Sequence, residues 1–148
     1  MSTSPWAIVY YDTPDPADSP TAFLDECPAK VDANMIAVLG AVAAAPPPQF
    51  SGGGYWEAMH GKMTGYFEVR KQGPNREQFR LFCILENPAD KAELEKTNLP
   101  GPAIAVLTGM RKPFGTVFSD SDYKHVRELG ESYRNTFPRR IVTPTSSE

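Results

Sequence analysis

Apolar positions along this chain fall into short blocks with two different periods. Residues 6–12, WAIVYYD, form an apolar, β-rich run that the cluster TPDPADSP halts, which predicts a first strand. Ser19 before Pro20 reads as an N-cap with proline at the first helical position. Pro28 disfavours helical geometry at Cys27 and so ends that helix. Val31, Met35, Val38, Leu39 and Val42 recur at i, i+4, i+7, i+8 and i+11, one stripe of a second helix that stops before Pro46.

The stretch PPPQFSGGG then interrupts all periodicity and reads as an ordered crossing followed by a flexible joint. Beyond the segment YWEAMHGKM the period changes to two. Residues 66–71 (YFEVRK) and 78–86 (QFRLFCILE) flank QGPNRE, whose Gly-Pro-Asn supplies turn chemistry, so a hairpin is expected. Alternation sets Phe79, Leu81, Cys83 and Leu85 on one face of the second strand, and Arg80, Phe82, Ile84 and Glu86 on the other. The polar insertion NPADKAELEKTNLPG separates this strand from AIAVLTGM, the third of a simple meander. Ser119 and Ser121 are N-cap candidates for a closing helix carrying Tyr123, Val126, Leu129 or Gly130, and Tyr133. The tail from residue 138 to 148 has no periodicity. The expected order is strand, helix, helix, three strands, helix, within one domain spanning residues 1–148.

Composition changes this picture little, apart from charge. The chain has 148 residues, enough for one hydrophobic core, and 15 prolines, which favour irregular connections. Cys27 and Cys83 lack metal-ligand or disulfide-framework spacing, so both are expected to be free and buried. No signal-like N-terminus and no apolar run of membrane-spanning length is present, so a cytoplasmic protein with no membrane partner is expected. The net charge of −3 argues against a general nucleic-acid binder, yet the charge is uneven. Residues 1–50 carry one cation, Lys30, against six acids, and the rest carries fourteen cations against twelve acids. Any anion site therefore belongs to the second part.

Three short motifs stand in register there: Gly65-Tyr-Phe-Glu-Val-Arg70, then Arg80 opening an apolar strand, then an apolar strand running into Gly109, Met110, Arg111 and Lys112. With this element order, the chain from about Tyr55 to Tyr133 resembles the RelE/ParE superfamily of bacterial toxins, in particular its HigB-like, phage-type branch. The resemblance implies an α+β fold: a small twisted antiparallel sheet with two N-terminal helices on one face and a C-terminal helix near the sheet's other end. It also implies the toxin of a type II toxin-antitoxin system, a metal-independent endoribonuclease that cleaves messenger RNA at the ribosome and needs no cofactor. Its partner would be a small antitoxin, often a helix-turn-helix protein. ParE-like members use the same fold to inhibit DNA gyrase, and fold alone does not choose between these roles.

Cleavage through the ribose 2′-OH requires groups that move protons and stabilise added charge on the phosphate. If the second and third meander strands pair antiparallel, the start of one faces the end of the other. Arg80, Arg111 and Lys112 then share one end of the sheet, with Arg70 beside them, and form a phosphate site. His60 and Lys62, on the loop before the hairpin, are candidates for proton transfer. The family commonly has a lysine near Arg70 where this chain has Glu68. Plainer readings stand beside these. Arg111 and Lys112 also suit a solvated strand end, Arg70 suits an ion pair with Glu68 or Glu86, and His125 suits scaffold. Phe50, Tyr55 and Trp56 suit either base stacking or anchoring of the loop to the core.

Overall fold

The computed structural model describes residues 5–45, 47 and 54–144. Most of the expected joint at 46–54, including Phe50, lies outside the described residues, as do residues 145–148. The regular elements in chain order are β1 (Ala7–Tyr11), α1 (Pro20–Glu26), α2 (Ala29–Ala44), β2 (Trp56–Ala58), β3 (Tyr66–Gln72), β4 (Gln78–Glu86), α3 (Lys91–Thr97), β5 (Ala103–Lys112), α4 (Asp120–Arg134) and β6 (Ile141–Val142). No described helix is long and apolar enough to cross a membrane.

The strands form one sheet in the order β2-β3-β4-β5-β1-β6. The hairpin and meander are present, since β3, β4 and β5 are successive antiparallel neighbours. The sheet as a whole is mixed, however. β1 lies parallel to β5 with Ala7 opposite Ala103, which corrects the expectation of an antiparallel sheet. The cause is visible in β1, which buries Tyr10 on one face and Val9 and Tyr11 on the other. A strand apolar on both faces takes an interior slot, and here β6 covers its outer edge.

Helices cover both faces. On one, Leu24 of α1 and Val31, Met35, Leu39 and Val42 of α2 pack on Val69, Phe79, Leu81, Cys83, Ile104 and Val106. On the other, Val126, Leu129 and Tyr133 of α4 pack on Val9, Tyr66, Phe82, Ile84, Ala105 and Leu107. The alternation expected for β4 therefore holds. Burying each of its large apolar side chains contributes about 1.5–3 kcal/mol. α1 starts on Ser19, whose hydroxyl accepts from the Ala22 N–H. α4 starts on a full capping box, Ser119 with Asp122. Both free cysteines are buried, as expected.

Two local features position the surface that matters below. The β3–β4 connection runs from Gly73, whose N–H donates to the Glu77 carbonyl at 2.8 Å, through Asn75 and Arg76 at φ 59° and 58°. Arg76 has neither glycine's freedom nor asparagine's tolerance of that left-handed region, so the turn carries local strain. In β5, Phe82 pairs with Thr108 but Cys83 pairs with Val106, so Leu107 is an extra residue, a β-bulge. The bulge resets the alternation. Gly109 and Arg111 come to face α1 and the Phe79 ring, while Met110 and Lys112 come to face α4.

Candidate nucleic-acid interface

β4 and β5 are antiparallel neighbours, and Gln78, Phe79 and Arg80 lie opposite Lys112, Arg111 and Met110. The three cations nevertheless do not converge: Arg111 and Lys112 are neighbours on one strand and point to opposite faces, and the Leu107 bulge puts Lys112 rather than Arg111 on the Arg80 face. Arg80 is 8% exposed. Its guanidinium donates to the Phe79 carbonyl at 3.0 Å and to Gln78 Oε1 at 2.8 Å, and Nε lies 3.3 Å from Glu68. Arg111 stacks over Phe79 at 4.8 Å and places its fork on Glu77 at 2.6 and 2.8 Å. Lys112 pairs with Asp122 at 3.1 Å. Arg80 and Lys112 do share a neighbour, the ring of Phe118, at 5.4 and 6.0 Å.

The electrostatics follow burial and pairing. Burial lowers the Arg80 pKa, with Glu68 opposing, and burial raises that of Glu68, with Arg80 and then Arg70 opposing. The hydrogen bond from Arg111 holds Glu77 below the usual carboxylate range.

The open basic surface lies instead around the β3–β4 turn. Arg70, Lys71, Arg76 and Arg80 line a groove of about 360 Å³ together with Gln72, Gln78, Gly54, Tyr55 and Phe114. Among the described residues no carboxylate lines it. Tyr55 and Phe114 are half or more exposed, with Lys71 lying 5.6 Å over the first ring and Arg76 lying 5.1 Å over the second. The groove therefore joins several cations to partly exposed aromatic rings, the composition that single-stranded nucleic acids bind.

A larger cleft of about 690 Å³ adjoins it, between β2 with its following loop, β3, and the first half of α4. His60 and Lys62 line this cleft with Glu57, Glu68, Asp120, Tyr123 and Arg127, over Trp56, Met59 and Met63. Two ion pairs form the wall between groove and cleft. Arg70 reaches from the groove to Glu57 in the cleft at 2.7 Å, and Arg80 reaches likewise to Glu68. The Arg70 partner is thus Glu57, and neither Glu68 nor Glu86 takes that place. Glu86 instead holds Arg139 and Tyr133.

The sequence candidates are thereby divided: Arg70 and Arg80 line the groove, His60 and Lys62 line the cleft, and Arg111 and Lys112 are committed to Glu77 and Asp122. Tyr55 belongs to the groove, whereas Trp56 is buried and stacks on Phe67 at 5.1 Å. His125 binds Asp18 at 2.8 Å, tying α4 to the acidic N-terminal segment. Lys71, Arg76 and Phe114 were not singled out by sequence. The signal for Arg76 was a cation inside a hairpin turn, where a side chain must project. Comparison with known protein families, curated proteins and solved structures finds no match for this chain.

Proposed function

We propose that this chain is a RelE/HigB-like toxin, a metal-independent endoribonuclease that acts on messenger RNA. The observation that carries the reading is the groove in which Arg70, Lys71 and Arg76 stand beside exposed Tyr55 and Phe114, with no lining carboxylate among the described residues. A single RNA strand fits that chemistry, with phosphates on the cations and bases on the rings. Arg80 adds positive charge to the groove, although each of its three nitrogens already has a partner. In the reaction the 2′-oxygen loses its proton and bonds to phosphorus, while the bond from phosphorus to the 5′-oxygen breaks and that oxygen gains a proton. His60 and Lys62, at the cleft side of the dividing wall, are the groups proposed for these proton steps. A small helix-turn-helix antitoxin is the proposed partner, and the ribosome the proposed setting.

The test is induction of the wild-type chain and a Lys71→Ala/Arg76→Ala variant in bacteria, with transcript ends mapped. New ends carrying a 2′,3′-cyclic phosphate in the wild type, lost in the variant, are expected. Growth arrest without new ends sinks the ribonuclease reading. The pairing of Arg70, Arg80, Arg111 and Lys112 with carboxylates favours one second reading, a non-enzymatic binder such as a ParE-like gyrase inhibitor. DNA-damage signalling on induction selects it.

A further inference from the structure

The geometry points to the cleft between β2, β3 and α4 as a nucleobase pocket that selects guanine, with the carboxylates of Glu57 and Glu68 reading its Watson–Crick edge. The inference deepens the RNA-binding reading and rests on it only for the source of the nucleotide.

Glu57 and Glu68 lie directly opposite each other on β2 and β3 and line the same cleft. Like charges in that cross-strand position destabilise a sheet unless each is paired, and here Arg70 and Arg80 pair them. Their arginines approach from the groove side, each recorded contact using Oε1. Glu68 accepts no hydrogen bond among the described residues, although its side chain is only 15% exposed. The second oxygen of each carboxylate has no contact among the described residues, which leaves two adjacent acceptors for the cleft that both residues line. Guanine presents N1–H and the N2 amino group as two parallel donors on one edge. Adenine, cytosine and uracil each lack that pair, so a carboxylate discriminates among the bases by geometry as well as charge.

The rest of the cleft suits the same ligand. Its volume lies within the range of small-molecule pockets, roughly 300–1,000 Å³. Met59 and Met63 give it apolar surface, and Tyr123 gives it an aromatic ring. Lys62 and Arg127 supply positive charge for a nucleotide's phosphate at the side of the cleft that also holds His60 and Asp120.

The test titrates the full chain with 5′-GMP, 5′-IMP, 5′-UMP and inorganic phosphate while following backbone amide resonances. IMP differs from GMP only by the N2 amino group. Saturable shifts at residues 57–63, 68 and 123 are expected with GMP, with IMP about tenfold weaker, the cost of one lost base contact. Glu68→Gln should reduce that ratio to within about twofold, and Glu57→Gln serves if the first variant folds poorly, since Arg70 is half exposed. Equal responses to GMP, IMP and UMP, or shifts confined to residues 70–76, overturn the assignment.

An oligouridine of about twelve nucleotides carrying one guanine identifies the source. Binding tighter than GMP that weakens in Arg76→Ala means a nucleotide within RNA. GMP binding as tightly, with no effect of Arg76→Ala, means a free nucleotide. GMP discrimination with no oligonucleotide binding leaves the cleft assignment standing and removes the ribonuclease reading. Oligonucleotide binding with no preference for guanine over inosine removes the cleft assignment alone.

Discussion

Arg80→Ala is the substitution that motif reasoning selects first as a test of activity, and the structure gives it a different principal effect. The guanidinium is 8% exposed and meets the Glu68 carboxylate at 3.3 Å, the Phe79 carbonyl and the Gln78 side chain. Removing it leaves Glu68 without its nearest cation in a site where burial already raises its pKa. Breaking a buried ion pair by deleting one partner costs about 3–5 kcal/mol. Glu68 faces a cleft that admits water, so the lower end, about 3 kcal/mol at neutral pH, is expected. For a chain of this length that corresponds to a fall in Tm of roughly 10 °C.

The sign with pH is fixed. A carboxyl whose folded pKa is raised binds protons more readily folded than unfolded, so its stabilising effect is full below the unfolded value. That effect is lost as pH rises through the folded pKa. Without Arg80 the folded pKa of Glu68 rises further. The deficit of Arg80→Ala should therefore be largest near neutrality and shrink toward about pH 4.5, close to the ordinary glutamate pKa. Urea melts of wild type, Arg80→Ala, Glu68→Gln and the double variant at both pH values measure this. The double-mutant cycle should give a coupling of about 2 kcal/mol at neutral pH. A cost below about 1 kcal/mol with no pH dependence would refute the reasoning and return Arg80 to the role of an exposed phosphate ligand.

Other expectations follow from single contacts. Gly109→Ala would drive a Cβ into the Phe23 ring, so a loss of about 1–3 kcal/mol is expected, relieved in part by Phe23→Leu and read by thermal melting. Arg76→Gly should remove left-handed strain and hold or raise Tm, yet weaken RNA binding and lower its salt slope by about one. Asp122→Ala removes half of the α4 capping box and the Lys112 partner, costing about 1 kcal/mol. The Asp122 pKa is lowered chiefly by the Ser119 backbone N–H, so its contribution is present at neutral pH and lost as pH falls through the folded value. Acid melts of that variant should accordingly converge on wild type.

The helices α1 and α2, the β3–β4 hairpin and the faces of β4 were legible because each rests on a local signal: a cap, a proline or a period. Shorter elements escaped. β2 and β6 have three and two residues, too few for a period to show, and exist because β3 and β1 offer them edges. α3 escaped although its signal was present: Asp90 caps the Glu93 N–H and Glu93 reaches back to the Ala89 N–H, the spacing of a helix start inside a stretch taken as an insertion.

The site failed at one identifiable step. Antiparallel pairing of β4 with β5 was correctly inferred, and from it the meeting of Arg80 with both Arg111 and Lys112. Only one of the two can share the Arg80 face, since neighbours on a strand point to opposite faces, and the choice of Arg111 would need an unbroken period of two from Ala103 to Lys112. Leu107 breaks it, because a bulge depends on how two strands bend together against α4 and leaves no mark in either strand's own composition. One extra residue was enough to exchange the faces of Arg111 and Lys112. With unbroken alternation Arg111 would lie on the α4 face beside Arg80. With the bulge it takes Glu77 at the hairpin base, and the positive surface left open is the turn itself, where Lys71 and Arg76 stand clear of any carboxylate in the groove.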